Sequence, residues 1–142
     1  MPHLVILYTP NLDAQTDMTT LCRSLADTML GAVDELGLPV FPRGGTRVLA
    51  YPAAHSAISD GGQAGRTAGG SGDYSFVYMN LRMARGRIAA THRVIGDALV
   101  ATAKQHFAQI LASKHIGITI QIDEGQEVFD AKISTLHPLF QS

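Results

Sequence analysis

The sequence predicts an α+β fold in which two β-α-β units form a four-stranded sheet with two helices on one face. Three observations lead there. Short runs of branched and aromatic residues alternate with two long segments of helical periodicity. Their order is β-α-β, a glycine-rich stretch, then β-α-β again. A length of 142 residues with 46% hydrophobic content suits one domain, residues 1–142, with a single core.

Leu4-Val5-Ile6-Leu7-Tyr8 is a continuous apolar run, the pattern of a strand buried on both faces. It begins directly after Pro2-His3. From about Asp13 to Leu36 the pattern turns helical. Met18, Leu21, Cys22, Leu25, Met29, Ala32, Val33 and Leu36 share one face, and Gly37 and Pro39 end the helix. Thr46 to Tyr51 reads as a second strand, bounded by Gly44-Gly45 and Pro52. Six of the thirteen residues from Asp60 to Gly72 are glycine, so 60–72 is expected as a flexible surface loop, not an element. Tyr74 to Met83 is the third strand, rich in aromatic and branched residues. A second helix is expected from about Ile88 to Lys114, with Ile95, Leu99, Ala103, Phe107, Ile110 and Leu111 as its stripe. Ile116, Ile118, Ile120 and Ile122 then alternate with Gly117, Thr119 and Gln121, a strict period of two. The tail after Gly125 carries Val128, Phe129, Ile133, Leu136, Leu139 and Phe140. It is too apolar to stand in water and is expected to dock on something. Two helices cover only one sheet face, so partner subunits are expected on the other.

Several function classes are disfavoured. Eleven basic against twelve acidic residues leave a net charge of −1, without the basic excess of a nucleic-acid binder. Tyr74-Ser75-Phe76-Val77 looks like the centre of an RNA-recognition strand, but Gly72, Asp73 and Met79 stand where its basic residue, glycine and further aromatic belong. An apolar run of at most five residues cannot cross a bilayer, and Met-Pro-His opens without the basic region of a secretory signal, so a cytoplasmic protein is expected. Gly62 to Thr67 lacks the lysine and the flanking elements of a phosphate loop. The six histidines form no i, i+4 pair, so no metal site is expected. The lone Cys22 lies on the apolar helix stripe and reads as a small core residue, not a nucleophile.

Two features carry chemistry. Removal of the initiator methionine before a small residue would leave Pro2 with a free secondary amine. Such an amine titrates near ~7.7–8.0 when unperturbed. Burial and nearby cations disfavour its charged form and bring it toward neutrality, where a general base works best. The second is Arg82-Met83-Ala84-Arg85-Gly86-Arg87, which joins a strand to a helix amino end. Unpaired N–H groups and guanidinium groups there suit a carboxylate or a phosphate, although a solvated basic turn reads equally well from these residues alone. Arg47, leading the second strand, reads as a surface residue by itself.

Taken together, Pro2-His3 opening an apolar strand before Thr9-Pro10-Asn11-Leu12, then Phe41-Pro42-Arg43-Gly44-Gly45-Thr46-Arg47, then Asp73 to Leu81 running into Gly86-Arg87, and the closing His137-Pro138-Leu139-Phe140 resemble the 5-carboxymethyl-2-hydroxymuconate isomerase family of the tautomerase superfamily. The resemblance spans nearly the whole chain apart from the glycine-rich stretch. It implies a homotrimer of two β-α-β units that needs no cofactor and uses an amino-terminal proline as catalytic base. It implies Pro2 as that base, with Arg47 and Arg87 binding or polarising the carboxylates and carbonyl oxygen of a small dienol acid in aromatic catabolism. A fork-shaped guanidinium pairs bidentately with a carboxylate, which suits that role. Leu7 stands where family members often carry glutamate, and Tyr78 where they often carry histidine. Two other readings remain at this point: a relative acting on a different unsaturated acid, and a non-catalytic trimer that binds a small carboxylate.

Overall fold

Among the described residues the strands and α-helices follow in the order β1 (His3–Tyr8), α1 (Met18–Leu30), β2 (Arg47–Pro52), α2 (Gln63–Thr67), β3 (Tyr74–Met83), α3 (Ala89–His106), α4 (Ala108–Ser113) and β4 (His115–Glu124). The structure is a computed structural model that describes residues 2–140. The strands form one sheet in the order β2-β1-β3-β4. β1 runs parallel to β2, β3 parallel to β4, and the two central strands run antiparallel. The expected α+β arrangement of two β-α-β units is therefore present. Antiparallel pairing sets His3 opposite Arg82, so the start of β1 and the end of β3 share one end of the sheet. That register brings Pro2 and the arginine-rich segment together.

The alternating side chains explain the core. Leu4, Ile6 and Tyr8 of β1 and Val77, Met79, Leu81 and Met83 of β3 are buried with Leu21, Leu25 and Met29 of α1 and Ile95, Leu99 and Ala103 of α3. The Thr28 and Thr102 hydroxyls meet at 2.7 Å between the two helices. Cys22 is half-buried against this core, as a small core residue would be.

Three expectations need correction. The first helix is shorter than 13–36. Residues Pro10–Ala14 form a 3-10 turn, Asp17 caps α1 by accepting the Thr19 N–H at 2.9 Å, and α1 ends at Leu30. Residues 31–40 fold back on themselves, with the Asp34 N–H donating to the Leu38 carbonyl at 2.8 Å and Gly37 at φ 77°. Leu36 therefore leaves the helix stripe and is exposed. The second helix is two: α3 stops and α4 starts around the fully buried Phe107. The glycine-rich stretch is not the open loop expected. It contains α2, whose start is capped by Asp60 accepting the Gly62 and Ala64 N–H groups, each at 2.9 Å. The Gly65 N–H donates to the Tyr74 hydroxyl at 2.9 Å, and a Cβ on Gly65 would lie 2.8 Å from the Tyr74 ring. Glycine here serves close approach more than freedom.

The sheet face away from the helices is open in the single chain. Leu7, Leu49 and Tyr51 on that face are each nearly half exposed. The tail is tied at its start, where the Gly125 N–H donates to the Met83 carbonyl at 2.8 Å, and at its end, where the 3-10 turn His137–Phe140 packs on Gly44, while Phe129 and Ile133 stand in solvent. Among the described residues no helix is long and apolar enough to cross a membrane.

Candidate active site

Pro2 is buried at the lead-in to β1. It is packed by a tight turn at Pro42-Arg43-Gly44-Gly45. The Gly45 N–H donates to the Pro42 carbonyl at 3.1 Å and the Thr46 hydroxyl to the same oxygen at 2.9 Å. A Cβ on Gly45 would lie 3.7 Å from the Pro2 ring, and one on Gly44 would press on His137 at 2.9 Å. The double glycine thus lets the turn lie between the proline and the tail.

A cleft of about 180 Å³ opens beside Pro2, lined also by Val40, Phe41, Pro42, Met83, Ala84, Arg85 and Arg87. Larger hollows exist, such as one of about 530 Å³ at Tyr8 and Asp13–Thr19, but that one lies at the other end of β1. Arg87 is clamped in the small cleft. It donates to Asp34 Oδ2 at 3.2 Å and to the Val40 carbonyl at 3.0 Å. Asp34 is itself held: its Oδ1 accepts the Leu36 and Leu38 N–H groups at 2.9 and 3.0 Å. The Leu38 amide, the Leu36 amide and Arg87 together keep its carboxyl below the usual carboxylate range. Two of five guanidinium N–H groups are used, which leaves three for a ligand.

Arg47 lies opposite His3 in the sheet register. It borders a separate hollow of about 440 Å³ with His3, Asp130 and His137. Burial, and then the charge of Arg47, hold the His3 imidazole below its usual pKa of 6.5, so its neutral form is favoured. One chain therefore brings Pro2 and Arg87 into a shared cleft and sets Arg47 next door, across His3. Leu7 and Tyr78 face each other across β1 and β3, so both departures from the family pattern fall on one cross-strand pair. The Tyr78 hydroxyl donates to Gln121 at 2.8 Å.

Sequence reasoning missed Asp34. A signal existed: an Asp three residues before Gly37, just past the helical run, is a turn former whose carboxylate takes backbone N–H groups. Nothing local marks its pairing with Arg87, 53 residues away. The arrangement suits a small organic anion with an apolar body, because guanidinium groups and the apolar side chains of Phe41 and Met83 line the same cleft.

Comparison with known proteins agrees. The family model for 5-carboxymethyl-2-hydroxymuconate isomerase matches residues 2–140. The 5-carboxymethyl-2-hydroxymuconate Delta-isomerase of Escherichia coli is 23% identical over 141 residues, covering 99% of this chain and all of that protein. A crystal structure of a 5-carboxymethyl-2-hydroxymuconate delta-isomerase superposes with a TM-score of 0.97 at 58% identity, covering 100% of this chain and 94% of that one. A 5-carboxymethyl-2-hydroxymuconate isomerase from Deinococcus radiodurans R1 gives 0.80 at 27% identity, covering 99% and 95%. With this fold, this cleft and a family match over nearly its whole length, the chain belongs to the 5-carboxymethyl-2-hydroxymuconate isomerase family.

Proposed function

We propose that the protein is a cofactor-independent isomerase that ketonises a dienol carboxylate such as 5-carboxymethyl-2-hydroxymuconate, with the amino-terminal nitrogen of Pro2 as base. The observation that carries this reading is that Pro2 and Arg87 share one cleft in a chain of this family. The Pro2 nitrogen takes the enol proton, the C–O bond becomes a carbonyl, and the electron pair shifts along the diene. The same proton is returned to a carbon, so nothing is oxidised or reduced. Arg47 and Arg87 hold carboxylates and offset the negative charge that develops on oxygen. Burial of Pro2 and the arginines beside it favour the neutral amine. The mechanism needs Met1 removed, since an amide nitrogen is no base.

The protein acts as a closed homo-oligomer, a trimer, in the cytoplasm, in the breakdown of aromatic compounds. The open apolar sheet face at Leu7, Leu49 and Tyr51 supports the assembly. Light scattering at micromolar concentration is expected to give three times the chain mass; a monomer refutes the assembly. For the chemistry, dienol decay is followed by ultraviolet absorbance alongside the intact mass of the chain. Turnover by chains lacking Met1 and none by chains retaining it is the expected result. Equal activity in both removes Pro2 from the mechanism.

A further inference from the structure

Two arginines line the cleft that holds Pro2, and they are held in opposite ways. Arg87 is clamped by Asp34 and the Val40 carbonyl, and the Asp34 carboxylate offsets its charge. Arg85 borders the same cleft, is exposed, and has no ion pair among the described residues. The acid beside that segment, Glu127, lies 3.8 Å from Arg82 instead. Between the two arginines Gly86 sits at φ 107°, a conformation that strains any residue with a Cβ. This turn sends residues on both sides of Gly86 to one cleft. The cleft thus combines a fixed, charge-compensated donor with an exposed cation that has no ion pair among the described residues.

Charge matching gives the difference a use. A 5-carboxymethyl-2-hydroxymuconate ion has three carboxylates: two at the ends of the muconate chain and one on the carboxymethyl arm. Under the proposed function Arg47 and Arg87 engage two of them, and the third has no assigned partner. We infer that Arg85 is a specificity-determining residue that pairs with this third carboxylate and so selects tricarboxylate dienols over dicarboxylate ones. The inference rests on the proposed isomerase reading. A guanidinium on a flexible stem suits a flexible carboxymethyl arm, whereas the clamped Arg87 suits the rigid diene.

The test compares wild type, Arg85→Ala and Arg85→Lys on 5-carboxymethyl-2-hydroxymuconate and on 2-hydroxymuconate, which lacks the arm. Arg85→Ala raises KM for the first about tenfold with kcat unchanged, as loss of one charge-assisted contact made equally in ground and transition states requires. KM for the second changes less than about twofold, and Arg85→Lys recovers part of the loss. Equal KM shifts on both substrates, or none on either, overturn the inference. Because Arg85 is exposed, thermal melting should be unchanged. Calorimetric titration with propane-1,2,3-tricarboxylate and with glutarate repeats the comparison without turnover. If wild type isomerises neither dienol, the isomerase reading fails, and the titration still decides Arg85. A loss confined to the tricarboxylate supports it, and equal losses overturn it.

Discussion

The first β-α-β half pairs six residues of the edge strand β2 with β1, whereas the second pairs ten residues of β4 with β3. The halves share a layout, yet they are loaded differently. In the first, the connection from α1 to β2 is long, supplies Val40, Phe41 and Pro42 to the cleft, and supplies Asp34 to hold Arg87 there. In the second, the corresponding connection is Phe107, α4 and Lys114, and none of these lines the cleft. The β3-to-α3 connection carries Arg85 and Arg87, while its counterpart after β1 carries Asp13 and Asp17. Because β1 and β3 run antiparallel, the position equivalent to Pro2 is Asp73, at the opposite end of the sheet. A repeated layout thus makes one cationic end with a candidate base and one end with acidic side chains. Chemistry depends on which loops meet at an end, not on the repeat.

The sharpest way to break this comparison is to alter the heads of the two central strands. Pro2→Ala should lower kcat by about 10²–10⁴, the usual worth of a positioned proton-transfer group, with circular dichroism unchanged. Asp73→Ala should leave the dienol assay near wild type. A fully active Pro2→Ala would end the distinction between the two ends. On stability, Phe107→Ala should cost about 3–5 kcal/mol in denaturant unfolding, because the ring is fully buried where α3 meets α4. A loss below about 1 kcal/mol would mean that the second half does not depend on that plug.

Asp34→Asn asks whether the first half positions a residue of the second. Asparagine keeps an oxygen for the Leu36 and Leu38 N–H groups but opposes Arg87 with an amide. We expect turnover to fall about tenfold in wild type and not at all when Arg87 is already alanine, the pattern of a coupled pair. Additive losses would make Asp34 a turn former only. The smallest effect is a pH dependence. Burial lowers the pKa of His3 and of His106, in the latter against an opposing pull from Asp17. The folded state then binds fewer protons than the unfolded state below 6.5, so stability rises with pH through that window. Melting temperature should increase from about pH 5.5 to 7, and His106→Gln should flatten the slope. A melting temperature independent of pH would show that neither ring resists protonation.

Much of the fold was legible because its signals are local. Tyr74 to Met83 is β3 to the residue, and the alternating isoleucines are the inward face of β4. Helix ends were less legible. The run through Val33 and Leu36 keeps helical spacing by composition alone, while Asp34 and Gly37 turn the chain back. Glycines 62, 65 and 72 read as looseness, since a sequence shows the missing Cβ but not the neighbour that needs its space.

Of the site, the residue types and their family pattern could be read along the chain: a proline before the first strand, an arginine at the second, and arginines after the third. Those follow from hydrophobic period, turn chemistry and charge, which act between near neighbours. Tertiary structure decided the rest. Only the antiparallel register of β1 and β3 puts Pro2 beside Arg85 and Arg87, and only the folded-back 31–40 segment supplies Asp34 to clamp one arginine and leave the other uncompensated. Such pairings join residues tens of positions apart, and no local preference encodes them; they exist once the core has fixed which strand ends meet.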